Sequence, residues 1–442
     1  MDPVFVGLVI FIVVLTMMLS GVPVALAFLT ANLIGAWFLL GGLGGVFQLI
    51  DNSTNLITTF TLVAIPMFVW MGALLFHAGL AGRVFDALDL LFGRIPGRLS
   101  YVTVVGGTAF SALTGSTMAN TAMLGGLMVP EMQKRGYKTA LAIGPIIGTG
   151  GLAMIIPPSN LAVLTGSLAR VDIGALLLAG LIPGLFLAML YCATIAIQVA
   201  RDPSAAPAYD VVLPPFLQRL KVFAVNVLPL GLVVFCVVGF IVLGIATPSE
   251  AAAFGVLASL ILAWIFGGLN KDSLTKSLET AVSVTGMVFL LIFGSAAFSQ
   301  LLAFSGASQD VVAAATAWEA PAYAKLMLMF LVLVVLGMFM DQISILLLTI
   351  PFFFPLARAL GLDPIWFGIV VLLAMEMSLT TPPFGLLLFL MTGATPPNPD
   401  GTRVTFQQVV SAALPFLACD LILLVGLIVF PGLALWLPRA IG

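Results

Sequence analysis

The sequence predicts an all-α polytopic membrane protein built as an inverted repeat, with two re-entrant helical hairpins and two broken helices. Three observations predict it. The chain of 442 residues is 62% hydrophobic and 8% charged, with a mean hydropathy of +1.23, which leaves too little polar surface for a water-soluble core. Two double-proline motifs, "IIPPSN" around Pro157 and "TTPPFG" around Pro382, interrupt runs that otherwise read as membrane-buried. Paired motifs also recur at a nearly fixed offset, the mark of an internal duplication.

In chain order, the first apolar stretch, Val4 to Leu19, has no basic leader and runs into "SGVP" without an A-x-A-like site. It is expected to be a retained span. Apolar stretches near 17 residues or longer then recur up to Leu437, each close to the length that crosses hydrocarbon. "AGRVFDALDLLFGRIPG" from Ala81 and "ASQDVVAAATAWEAP" from Ala307 mix charge with helical apolar spacing, so each predicts an arm helix lying in the interface. A hairpin over 100–130 and a broken helix over 139–168 follow the first arm. The segment 201–215, "RDPSAAPAYDVVLPP", reads as the linker between halves. A second hairpin over 324–359 and a second broken helix over 364–391 follow the second arm.

The duplication rests on four pairs. Pro96 and Pro321 lie 225 apart, Asn120 and Ser344 224, Gly136 and Gly361 225, and Pro157 and Pro382 225. Pro183 and Pro415 are displaced to 232, which the insert "GATPPNPDGTR" explains. The basic residues give the orientation. Placing 83–98 in the cytoplasm puts 12 of the 16 Lys and Arg there, with Arg170, Lys325, Arg358 and Arg439 outside. That split requires hairpin 1 to enter and leave from the cytoplasm and hairpin 2 from the opposite side, with the N-terminus periplasmic. The halves are therefore inverted copies, the architecture of secondary transporters whose sites sit at mid-membrane between the repeats.

Prolines at the breaks leave backbone groups without helical partners, which is tolerable in a membrane only beside protein or a polar cavity. Such backbone can coordinate a cation, and a half-helix N-terminus can face an anion. "LTGSTMANTAMLGG" gathers Thr114, Ser116, Thr117, Asn120 and Thr121 at the first hairpin tip, offering hydroxyl and amide oxygens. Packing of small residues between helices would use the same composition. The second tip carries Asp341, Gln342 and Ser344, facing Ser378, Thr380 and Thr381. An acid at membrane depth is costly, so Asp341 is a functional candidate, with a helix cap as the structural alternative. Glu376 divides between an ion pathway and a polar core; Glu250, in "TPSEA", fits first-turn placement in a helix. No Lys or Arg falls in the binding region, so an anionic substrate would need amide dipoles, hydroxyls and a co-bound cation, which makes sodium coupling attractive.

Other chemistries have little to stand on. Cys192, Cys236 and Cys419 lie singly in apolar runs, and the only histidine, His77, fits an interfacial structural role. Without a second His, a Cys pair or G-x-S-x-G, hydrolytic or redox catalysis is not supported, and the net charge of −2 argues against nucleic acid. An ion channel would conduct without substrate coupling, which inverted hairpins disfavour.

"GSTMANTAMLGGLMVPEMQKRGY", "IIPPSN", "LLAGLIPG", "TPSEAAAFGVL", "GMFMDQISILLLTIP", "LGLDPIWFG" and "LTTPPFGLLLF" together resemble, in order and over essentially the whole chain, the large membrane subunit of tripartite ATP-independent periplasmic (TRAP) transporters. The resemblance implies an elevator-type ion-transporter fold shared with divalent anion/sodium symporters. It implies sodium-coupled import of a small organic acid across the bacterial inner membrane, with a small four-helix membrane subunit and a periplasmic substrate-binding protein as partners. It places 1–97 as scaffold with its arm, 98–200 as the first half of the transport domain, 201–323 as linker, scaffold and second arm, and 324–442 as the second half of the transport domain. Two Na+ sites are implied, one at Gly115, Ser116 and Asn120 with Gly151 and Ile155, the other at Gly337, Met340 and Ser344 with Thr380 and Thr381. The substrate would lie between them near Thr117, Pro158, Ser159, Asn160 and Asp341. Asn120 stands where many relatives have an acid, Glu376 where many are apolar or amidic, and the loop "ATPPNPDG" is longer than in sialic-acid members; these point to a branch handling small carboxylates or polyols. A stand-alone symporter of the anion/sodium group, needing no binding protein, is the alternative.

Overall fold

The computed structural model describes residues 3–93, 95–207, 214–397 and 402–441; parts of the linker and of the polar insert lie outside them. Among the described residues there are α-helices and short 3-10 turns and no strand. A bilayer leaves no water to satisfy backbone groups, so a chain this apolar must close its hydrogen bonds within each segment, and the helix does that. Six helices are long and apolar enough to cross a membrane, or seven if Phe216–Asn226 and Leu228–Val242, bent by 43°, make one span.

The two double-proline positions are interrupted. The first helix runs Thr139–Gly151, tightens into a 3-10 turn over Leu152–Met154, and restarts as Asn160–Ala169. The second runs Pro364–Thr380 and restarts as Leu386–Ala394. Both Pro-Pro bonds are cis. Before each break stands a helix–turn–helix hairpin: hairpin 1 is Arg98–Thr114 with Thr117–Lys134, and hairpin 2 is Ala322–Gly337 with Gln342–Ala359. Each hairpin is a few residues longer than its sequence pattern suggested. The two stretches expected as arms are helical, over Leu80–Phe92 and Ala307–Ala317.

Packing between the halves is reciprocal. The second helix of hairpin 1 lies on Leu386–Ala394, and the second helix of hairpin 2 lies on Asn160–Ala169. Thr139–Gly151 packs on Phe406–Val429, while Pro364–Thr380 packs on Ile173–Arg201. Among the flanking helices, Val24–Leu39 lies on Lys271–Ser305 and Pro248–Ile265 lies on Ala64–His77, with Ala64–His77 and Lys271–Ser305 against each other. Exchange of partners in this way is what a pseudo-two-fold relation between two copies produces. Because lipid is as apolar as Leu, contact and polar bonds drive this packing more than burial does. Asn32 Nδ2 donates to the Gly294 carbonyl at 2.6 Å, and the bare face of Gly148 lets Phe416 and Tyr191 approach so closely that a Cβ there would lie 2.9 Å from Phe416. Local signals also hold: Thr247 and Glu250 form a capping box at the start of Pro248–Ile265, as the "TPSEA" pattern suggests.

Candidate ion and substrate site

Hairpin 1 turns at Gly115, whose φ of 56° suits a residue without a Cβ. A side chain there would also strike Asn160, 2.8 Å from its Nδ2, so the tip sits on the N-terminus of the half-helix after the first break. Ser116 is extended and caps the next helix by accepting from Ala119 N at 3.5 Å. Asn120 Nδ2 donates to Ser111 Oγ at 2.6 Å, and Ser111 Oγ donates to the Thr149 carbonyl at 3.1 Å. Those bonds fix the tip against Thr139–Gly151. Yet Thr117 Oγ1, Asn120 Oδ1, Thr121 Oγ1 and Asn160 Oδ1 are buried with no hydrogen-bond partner among the described residues. An unsatisfied buried polar group costs about 1–3 kcal/mol, so four oxygens around one tip call for a ligand. Hydroxyl and amide oxygens suit a hard cation. The side chain of Thr114 lies outside the described residues.

Around the second tip the polar groups are largely satisfied within the chain. Asp341 accepts from Ser344 N at 3.1 Å and also from the Ser344 hydroxyl, which makes it the cap of Gln342–Ala359. Thr380 and Thr381 donate to the Met377 carbonyl at 3.1 and 2.6 Å. Hydroxyls bound in this way keep their lone pairs, so the set fits a cation as further acceptors. Gly337 lies against Ser378, where a Cβ would fall 2.0 Å from Oγ. The Phe339 and Phe384 rings meet at a tilt of 39° with centroids 5.2 Å apart, joining the tip to the second break. Met340 is buried, with its N–H on the Leu336 carbonyl at 3.0 Å.

A cavity of about 580 Å³ brings the two tips together. Gly115, Ser116 and Asn160 line it from the first half and Gln342 from the second, with Ile65, Val69 and Phe76 opposite. Among the described residues no Lys or Arg lines it. Its mouth is marked by His77 and Thr280, which also border a depression containing Lys276 and Glu279. Other expected site residues sit elsewhere. Thr117 and Asn120 are buried behind the tip. Ser159 is fully buried and spends its hydroxyl on the break, donating to the Met154 carbonyl at 2.6 Å and capping Ala162 N at 3.2 Å. Pro158 faces away from the cavity, beside Gly174, Leu177 and Ile241. The Ile155 carbonyl packs on Gly180, and Gly151 lies against the Glu376 side chain. Asp341 is not among the cavity-lining residues, although its neighbour Gln342 is.

One cluster escaped the sequence reading. Tyr191 OH lies 2.6 Å from Asp420 Oδ1 and 3.2 Å from Glu376 Oε1, all three fully enclosed where the two halves meet. From the sequence Glu376 divides between a polar core and an ion pathway; Asp420, within "FLACDLILL", falls under the same rule as Asp341, an acid at membrane depth. Nothing local marks Tyr191 as their partner.

The comparisons with known proteins follow this geometry. Residues 11–433 match the family described as the tripartite ATP-independent periplasmic transporter, DctM component. The chain is 31% identical over 384 residues to the C4-dicarboxylate TRAP transporter large permease protein of Pseudomonas aeruginosa, covering 87% of each. It is 30% identical over 427 residues to the sialic acid TRAP transporter large permease protein of Vibrio cholerae, covering 96% of each. Its fold is similar to that of the YdaH transporter of Alcanivorax borkumensis, with a TM-score of 0.67 at 13% identity over 99% of this chain and all of that one. The chain belongs to the DctM component family of tripartite ATP-independent periplasmic transporters, multi-pass proteins of transport rather than of catalysis.

Proposed function

We propose that this chain imports a small organic anion together with sodium, as the large subunit of a complex with a small four-helix membrane subunit and a periplasmic substrate-binding protein. The observation that carries the proposal is the group of partnerless buried oxygens at Thr117, Asn120, Thr121 and Asn160, set behind a cavity without Lys or Arg. A cation held there satisfies the oxygens and supplies the positive charge that the cavity lacks. Each ligand then raises the other's affinity, because linkage between two sites is reciprocal. The second cation falls to Gly337, Met340, Ser344, Thr380 and Thr381, and the anion to the space bounded by both tips. Residues 98–200 and 324–442 move as the elevator, and the remainder forms the scaffold in the bacterial inner membrane, N-terminus periplasmic. The cavity mouth beside His77, Thr280 and Lys276 then corresponds to an inward-facing state. The substrates named for the Pseudomonas and Vibrio relatives support a small organic acid.

Reconstitution with and without the partners tests this reading. In liposomes with an inward sodium gradient, uptake is expected only when the small subunit and the binding protein are both present. Equal uptake by this chain alone would replace the tripartite reading with a stand-alone symporter.

A further inference from the structure

A second cavity, of about 910 Å³, lies at the other end of the molecule. The helix Lys271–Ser305 fixes the separation: Thr280 borders the mouth of the central cavity, and Gln300 borders the second one. At 1.5 Å per residue these points lie roughly 30 Å apart along one continuous helix, and the two linings come within about two turns of each other on it, between Val288 and Ser295. The half-helix Asn160–Ala169 joins the two spaces, with Asn160 on the central cavity and Ala169 on the second.

The chemistry of the two spaces is opposite. Among the described residues the central cavity is lined by no Lys or Arg, whereas Arg170 and Arg358 both line the second, together with Asn52, Asn55 and Gln300 and no carboxylate. Among the described residues neither arginine forms an ion pair. Arg358 Nη2 donates to the Ala169 carbonyl at 2.6 Å, which caps the half-helix and leaves the other guanidinium donors to spare. Asp51 accepts from Asn55 Nδ2 at 3.4 Å but is not part of the lining. Two unpaired guanidinium groups beside amide side chains form a recognition site for a carboxylate that also carries polar groups.

We propose that this cavity is an outer capture site for the transported anion, where Arg170 and Arg358 meet its carboxylate before the cation-assisted central site takes it. The identity of the ligand rests on the transport reading above; the existence of a carboxylate site does not. Arginine attracts the anion electrostatically from the outer face, and its absence from the central cavity keeps the anion from being held too tightly there.

Ser299, which borders this cavity, offers the test. The Ser299→Cys chain, in complex with its partners in right-side-out vesicles, is labelled with a membrane-impermeant maleimide, alone or with millimolar succinate or sialic acid. The unsubstituted chain supplies the background from its own cysteines. At least a threefold slowing by one of the acids is expected, lost when Arg170→Gln is added and lost also with Arg358→Gln. Arg170→Gln guards against a folding artefact, since Arg170 ends its half-helix through its backbone N–H alone, on the Gly166 carbonyl, which Gln keeps. No slowing by either acid, or slowing that persists with either substitution, overturns the proposal. Sodium-driven uptake of the same acids in the same vesicles separates the two readings: uptake with unprotected labelling sinks the capture site alone, and protection without uptake sinks the transport reading alone.

Discussion

Asn120 shows how much one side chain decides. Its amide N–H holds the tip through Ser111, while its carbonyl oxygen has no partner among the described residues. Asn120→Ala is therefore expected to cost roughly 1 kcal/mol of stability and to raise the sodium half-saturation of uptake about tenfold, equivalent to about 1.4 kcal/mol. Thr381→Ala should do the same at the second site while leaving membrane insertion intact. Sodium titrations unchanged in both variants would reject the ligand assignment. At Tyr191 the expected effect is structural. Tyr191→Phe removes the hydroxyl that lies between Asp420 and Glu376, and a loss of about 1–3 kcal/mol, read as a lower melting temperature in detergent, should follow. An unchanged melting temperature would show that the hydroxyl does not hold the two halves together.

Hairpins and breaks work as elements because their tips are built for close approach. Gly337→Ala would place a methyl 2.0 Å from Ser378 Oγ and push hairpin 2 off the break it faces. Overpacking of that kind costs about 1–3 kcal/mol, so the variant should insert normally, melt earlier and depend less steeply on sodium; full wild-type transport would contradict the contact. These elements were legible in the sequence because their causes are local. A Pro-Pro pair interrupts a helix where single prolines such as Pro145 and Pro183 stay inside one, Ser116 and Asp341 cap the helices they precede, and the repeat offset needs only the sequence. What stayed hidden depends on distant partners. A break has no periodicity, so nothing in "IIPPSN" said that Pro158 would face Gly174 while Asn160 faced the cavity. Likewise Tyr191 meets Glu376 and Asp420 across sequence separations of 185 and 229. The hydroxyl of Ser159, read as a substrate contact, turned inward because the restarting helix needed a cap.

For the whole molecule, the charge asymmetry and the two cavities make a joint prediction. Thr280→Cys, at the mouth of the central cavity, should label from the cytoplasmic side of sealed vesicles, and Asn55→Cys, beside the second cavity, from the outer side. Labelling of both from one side would break the proposed topology, and with it the inverted placement of the hairpins. The central claim is narrower: main chain and side-chain oxygens freed at the hairpin tips and breaks hold a cation that makes room for an anion. The most direct measurement is the accumulation ratio of the transported acid in proteoliposomes holding the whole complex, taken at a clamped membrane potential while the sodium gradient is varied. The account predicts that accumulation rises with the inward sodium gradient and collapses when potassium replaces sodium. Accumulation that is the same at every sodium gradient would contradict it.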